Sequence, residues 1–293
     1  MALEPNVAPP IADTWEPKKP FPHLSCDSHA HIFGPLDQYP MLAKTHFIPH
    51  LNPLADYVKM LKKIGCERAV LVQPSVYGPS NLLIEEALAS KTFDLRAVAV
   101  VKPDISDQEL LRLHDLGFRG IRINTASATS GLTLNDAKSL APRLKELNWH
   151  LQFFINVRKQ PEIVNELITL PIPIVIDHYG CVDASLGQNS AGYRALMRLF
   201  SYEHVWAKLS ANYFSSADFP LHRDVAKVAQ EMMRIMPDRL VWGTDWPHVS
   251  AKDMLANDGH LANLLIDWTQ DDNLIKKILV DNPAKLYQFS DPD

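Results

Sequence analysis

From residue 24 onward, short runs rich in valine, isoleucine, phenylalanine and tryptophan alternate with longer stretches of helical period, and nearly every run ends in a polar or turn-forming cluster. Eight such runs predict strands: Leu24 to Phe33, Arg68 to Ser75, Leu95 to Val101, Phe118 to Asn124, His150 to Asn156, Ile172 to His178, Val205 to Ser210 and Leu240 to Asp245. Helical patterns fall near 54–64, 80–90, 106–116, 134–147, 160–168, 188–201 and 222–236, with a final pair across 260–288. Runs such as ERAVLVQPS and PIPIVIDHYG are apolar on both faces, as strands of a parallel sheet covered by helices should be. Eight strand–helix units predict an α/β fold, the (β/α)8 TIM barrel. The competitor is an open doubly wound sheet, but the segment after the first strand, HAHIFGPLDQYP, is not the glycine-rich phosphate loop expected there.

Residues 1–20, MALEPNVAPPIADTWEPKKP, carry five prolines and no apolar run, and read as an extended arm. No composition shift interrupts the alternation, so residues 21–293 are expected to form one domain. The connection 34–53, with Tyr39, His46, Phe47 and His50, exceeds the usual loop length and is expected to fold over the barrel mouth. No stretch approaches the roughly 20 apolar residues of a membrane span, so a soluble protein is expected.

The chain has 293 residues, 46% hydrophobic and 22% charged, with a formal net charge of −5, which offers no basic field for a nucleic acid. Its 3 cysteines, Cys26, Cys66 and Cys181, are far apart and suggest neither a disulfide framework nor a thiolate metal site, which fits a cytoplasmic location. There are 12 histidines, and their placement carries more than their number.

Reacting groups of such barrels sit at the C-terminal strand ends. The first predicted strand ends in CDSHAHIF, which puts His29 and His31 on one face. The sixth ends in VIDHYG with His178, and the eighth in VWGTDWPH with Asp245 and, just beyond, His248. Three imidazoles and a carboxylate are thus expected at one place. Alternation sets Asp177 facing away from His178, as a supporting residue, and Asp27 on His29's own face, one step deeper. His150, at the opposite end of a strand, is expected to be structural.

These motifs, with NPAKLYQF at 282–289 and RGIRIN on the fourth strand, resemble the amidohydrolase superfamily, in the branch of 2-pyrone-4,6-dicarboxylate lactonase, sugar lactonases and sulfomuconolactone hydrolase. The resemblance runs over almost the whole barrel and implies hydrolysis of a lactone ring. Asp245 would be the general base, with His29, His31 and His178 stabilising the oxyanion as hydrogen-bond donors or by holding a divalent metal. The branch contains enzymes described as metal-free and others described as zinc enzymes. Here the fourth strand ends in Arg122 and Asn124 and the fifth in Gln152, Phe154 and Asn156, without the lysine or glutamate and the histidine of binuclear members. No obligatory metal is expected. The alternative is a single zinc on His29, His31, His178 and Asp245.

Arg122 is the expected anchor for a substrate carboxylate, through the two parallel hydrogen bonds of its fork. Ser75, which matches a substrate-contacting serine of the pyrone lactonases, Tyr77 and His248 are further substrate-binding candidates, and Lys102 and Lys208 weaker ones. Where the pyrone dicarboxylate enzymes carry further arginines and tyrosines, this chain has Ala128, Phe47 and Phe154. That exchange favours a small anionic lactone with one carboxylate or a less charged ring. A lactone isomerase or decarboxylase on the same site is the enzymatic alternative, and an inactive small-molecule-binding barrel the other. Oligomeric state stays open.

Overall fold

The structure, a computed structural model, describes residues 4–126 and 131–290. Eight parallel strands stand side by side in chain order: β1 (Cys26–Ala30), β2 (Arg68–Val72), β3 (Asp94–Ala99), β4 (Phe118–Asn124), β5 (His150–Phe154), β6 (Ile174–Ile176), β7 (Val205–Leu209) and β8 (Leu240–Trp242). A parallel bridge between Ala30 and Trp246 joins the last strand to the first. Two backbone bonds tighten that seam, Asp245 N to His29 O at 2.8 Å and His31 N to Trp246 O at 2.7 Å. The expected (β/α)8 barrel is what forms.

Helices α1 (Leu54–Ile64), α2 (Leu82–Ala89), α3 (Asp107–Leu116), α4 (Leu134–Glu146), α5 (Val164–Leu167), α6 (Ala191–Phe200), α7 (Arg223–Ile235), α8 (Asp258–Thr269), α9 (Asp272–Lys276) and α10 (Asn282–Tyr287) follow the strands. The pattern at 160–168 gives only a 3-10 turn, Pro161–Ile163, and the single turn of α5. None of the described helices is long and apolar enough to cross a membrane.

Strand alternation divides the core. Val70, Val72, Val98, Val175 and Val241 point into the barrel and pack with Leu286, Tyr287 and Phe289 from the C-terminal segment. Ala69, Leu71, Ala97, Ile121 and Leu151 point outward under the helices. Because both faces are buried, the runs carry no polar alternation to mark them, only length and β-branching.

Residues 4–20 hold no helix or strand. They are tied to α8 and its N-cap, with Trp15 N donating to Asn257 Oδ1 at 2.9 Å and Lys18 N to Asn263 Oδ1 at 2.7 Å. Their beginning is tied to the long 34–53 connection, where Ile48 N donates to Asn6 Oδ1 at 2.7 Å.

Candidate active site

β1 and β2 pair in register except between Asp27 and Ala30, where β1 carries one extra residue. This bulge resets the alternation. Asp27 pairs with outward-facing Ala69, while His29 and His31 turn into the mouth. Asp27 therefore lies on the outer side, not on His29's face. It accepts from Thr244 Oγ1 at 2.6 Å, Thr244 N at 3.0 Å and His29 N at 3.1 Å. Burial pushes its carboxyl up to about 6 despite these donors. The seam is close here: a Cβ on Gly243 would sit 2.6 Å from His29 N, so glycine is required.

β6 stops at Ile176 and β8 at Trp242, earlier than the apolar runs suggest. Alternation from inward Val175 carries Asp177 into the barrel as well, which corrects the outward placement expected for it. His178 and Asp245 lie past the strands with left-handed backbone, φ 54° and 65°, and these turns swing both side chains into the mouth.

The four expected groups converge. Asp245 Oδ1 lies 3.4 Å from His29 Nε2, 3.6 Å from His178 Nε2 and 3.8 Å from His31 Nε2. The His29 and His31 Nε2 atoms are 3.4 Å apart. All four residues are buried. The other carboxylate oxygen of Asp245 accepts from the Tyr213 hydroxyl, a residue the sequence reading did not single out. Burial and the adjacent Asp245 hold the Tyr213 phenol well above its usual range, so it is a neutral donor.

The outer ring nitrogens are engaged too. His31 Nδ1 donates to Val72 O at 2.7 Å, which leaves the Nε2 lone pair facing the site. His178 Nδ1 pairs with Ser210 Oγ at 2.9 Å. His29 Nδ1 has two neighbours, Asp177 Oδ1 at 3.3 Å and Lys208 Nζ at 3.2 Å. With Asp177 accepting, Nε2 presents a lone pair; with Lys208 donating, Nε2 carries the proton. Burial, then the Lys208 charge, lowers His29 well below its usual range; burial and Arg122 lower His31 to about 4; burial also lowers His178. The three imidazoles are neutral at neutral pH.

Asp177 is the hub beneath them. It accepts from Gln152 Nε2 at 3.0 Å and from Arg122 Nε at 3.2 Å, with Lys208 Nζ at 3.8 Å. Burial alone would raise its carboxyl, but His29, Lys208 and Arg122 hold it well below the usual range. Burial lowers Lys208 to about 8. Lys208 lies inside the barrel, bonded to Ser28 O at 2.8 Å, below the cleft where an anion contact was expected.

The cavity over Asp245 is walled by Phe47, Phe154 and Phe214 together with Ser75 and Arg122. Arg122 lies over the Phe154 ring at 5.6 Å and is the only arginine among the described residues on this wall. Lys102 lines the neighbouring cavity with Arg122 and Ser75. Tyr77 does not reach the Asp245 cavity; its hydroxyl accepts from Gly34 N at 3.2 Å and it packs on Phe33. His248 is committed to Asp258 at 3.0 Å, and although burial opposes protonation, Asp258 raises it. Ala128 lies outside the described residues.

A tetrahedral zinc with nitrogen and oxygen ligands near 2.0–2.1 Å needs ligand atoms about 3.3 Å apart. The separations of 3.4–3.8 Å around Asp245 Oδ1 come close to that, and the secured outer nitrogens orient the rings as metal-ligating histidines are oriented. His29, His31 and Asp245, whose ligand atoms lie within 4.8 Å of one another, therefore fit a single divalent cation, with His178 Nε2, 3.6 Å from Asp245 Oδ1, the candidate for a fourth ligand.

A protein-family model described as Amidohydrolase matches residues 26–289. A 2-pyrone-4,6-dicarboxylate hydrolase of Comamonas testosteroni is 33% identical over 287 residues, covering 94% of each chain. A 4-sulfomuconolactone hydrolase of Hydrogenophaga intermedia is 31% identical over 270 residues, 91% of this chain and 89% of that one. The crystal structure of a probable 2-pyrone-4,6-dicarboxylic acid hydrolase from Acinetobacter baumannii, with citric acid bound, superposes with a TM-score of 0.79 at 25% identity, covering 91% of this chain and 100% of that one.

Proposed function

The chain belongs to the amidohydrolase family, and from that premise we propose that it opens the ring ester of a small lactone bearing one carboxylate. One observation carries the reading: a buried carboxylate oxygen of Asp245 faces three neutral imidazoles in a cavity entered by a single described guanidinium.

Arg122 grips the substrate carboxylate and so sets the ring over Asp245. Asp245 Oδ1 takes a proton from water as the water oxygen bonds to the lactone carbonyl carbon. Tyr213 holds the other Asp245 oxygen, which keeps the acceptor aimed at the cavity. With Ser210 donating to His178 Nδ1, the His178 Nε2–H faces the cavity and donates to the carbonyl oxygen as it becomes an oxyanion, while His29, with Nδ1–H toward Asp177, stands fully buried beside Asp245. The oxyanion then re-forms the carbonyl, the ring C–O bond breaks, and Asp245 returns its proton to the leaving oxygen. A divalent cation held by His29, His31 and Asp245, with His178 in its other tautomer the candidate for a fourth ligand, would supply Lewis-acid polarisation of the same carbonyl.

The aromatic walls support a substrate with fewer charges than a dicarboxylate. The buried, unpaired Cys26, Cys66 and Cys181 support a reducing, cytoplasmic location. The test is a panel of lactones of differing ring size and carboxylate number, with products identified so that isomerisation and decarboxylation are distinguished. Asp245→Asn is expected to abolish turnover and keep substrate binding. Wild-type-like turnover by that variant, or no lactone opened by the native chain, would overturn the proposal.

A further inference from the structure

The space directly over Asp245 measures about 60 Å³. Next to it lies a cavity of about 720 Å³ that shares Phe47, Phe214, Val249 and Ser250 with it. More room for a substrate therefore lies outside the reacting centre than over it. The outer cavity is walled on one side by the N-terminal arm at Asn6, Val7 and Ala8, and on others by Phe47, Phe214 and Leu255.

The arm and the long connection make one wall. Asn6 bonds the backbone of Ile48 twice, N to O at 3.0 Å and Oδ1 from N at 2.7 Å, immediately beside Phe47. His50 Nε2 donates to Val7 O at 3.0 Å. The charges around this cavity are largely spoken for. Arg158 Nη2 donates to Phe214 O at 2.6 Å, with Nη1 4.0 Å from Asp183; His248 is paired with Asp258; Lys252 and Asp253 bring opposite signs. An anion gains little there, and an apolar group can desolvate against the aromatic walls.

We propose that this outer cavity is a second substrate subsite that takes an apolar, ring-sized substituent of the lactone, with Asn6 as the positioning residue that fixes its Phe47 wall. The inference rests on the lactone reading above and names the substrate class within it: one carboxylate toward Arg122 and an apolar arm on the far side of the ring.

The probes are 2-pyrone-6-carboxylate, 2-pyrone-4-carboxylate, 4-phenyl-2-pyrone-6-carboxylate and 6-phenyl-2-pyrone-4-carboxylate, turned over by the full chain. At least one phenyl compound is expected to exceed its parent about tenfold in kcat/KM, mainly through a lower KM, as burial of a phenyl group predicts. Asn6→Ala is expected to erase most of that gain while the protein melts as the native chain does. Parents hydrolysed as well as both phenyl compounds, or an Asn6→Ala loss equal on parent and phenyl acid, would overturn the subsite. If neither parents nor phenyl acids are opened, while a broader panel yields a lactone that is, the subsite falls alone; if no lactone is opened at all, the lactone reading falls and the subsite with it.

Discussion

The backbone N–H of Asp245 donates to the carbonyl of His29 at 2.8 Å, so the proposed base and one imzidazole partner are fixed to each other by the bond that closes the barrel. Asp27 braces this pair from the outer side by accepting from both His29 N and Thr244. Thr244→Val removes the hydroxyl's bond to Asp27 and the one it accepts from Trp246 N at 3.1 Å, at a fully buried site and without changing the side chain's shape. We expect kcat to fall about tenfold, since small misplacements of a reacting group are costly. KM should change little, and Thr244→Ser should restore the rate. Loss of stability with kcat intact would show that the brace serves only the fold.

Tyr213 supplies the hydroxyl that holds the second oxygen of Asp245. Hydrogen bonds to charged groups contribute about 1.5–3 kcal/mol. Tyr213→Phe should therefore lower kcat by about 10- to 100-fold, with circular dichroism and melting close to native. A rate within twofold of native would remove Tyr213 from the site's working parts.

Arg122 divides its guanidinium between Asp177, through Nε, and the cavity. Lys208 remains beside Asp177 when the arginine is removed, so the variant is not left with a wholly uncompensated buried carboxylate. Arg122→Gln should raise KM for a pyrone monocarboxylate about 10- to 100-fold, and alter kcat/KM much less for the uncharged 2-pyrone ring. Equal losses on both substrates would contradict the anchoring role.

The barrel was legible because parallel, doubly covered strands betray themselves as short apolar runs, and the histidines because strand ends of such barrels face one cleft. What escaped the reading lies where period-two alternation stops holding. The β1 bulge moved Asp27 to the outer face, and nothing in CDSHAHIF announces an extra residue. Tyr213 sits in a one-turn 3-10 segment, Asn212–Phe214, after β7, where no strand rule aims a side chain. Asp177 and Lys208, by contrast, were within reach: counted from the inward Val175 and Trp206, both alternate into the barrel. Tyr77 and His248 matched by position alone, and each is held by a partner that spacing does not reveal, Gly34 and Asp258.

The described residues offer two ligand groups that share His29, namely His29–His31–Asp245 and His29–Asp177–His178, and because Arg122 and Lys208 already lie against Asp177 only the first is expected to take a cation. β4 and β5 present Arg122, Asn124, Gln152 and Phe154 at the mouth, where a second ion would need anionic or imidazole ligands. Chelator-treated protein titrated with zinc should bind about one equivalent, and His31→Ala or His178→Ala should weaken that binding by at least about tenfold. Two equivalents, or affinity unchanged in both variants, would refute the assignment of these ligands.

The last prediction concerns His150, far from the mouth. Its ring is buried so closely against Gly120 that a Cβ there would meet it at 2.6 Å. Burial, and then the Lys208 charge, lowers its pKa to about 3, against an ordinary value of 6.5. The unfolded chain thus binds a proton that the folded chain refuses between these values, and stability is lost as pH falls from 6.5 toward 3. Asp27, raised to about 6, has the opposite dependence at overlapping pH, but it is common to the native chain and a His150 variant and cancels in their comparison. His150→Gln keeps a polar group without titrating. Between pH 7.5 and 4.5 the native protein should lose about 5 °C more in Tm than the variant, the shift expected from roughly 2 kcal/mol in a chain of this length. Parallel melting curves across that range would mean that His150 takes up its proton in the folded barrel without penalty.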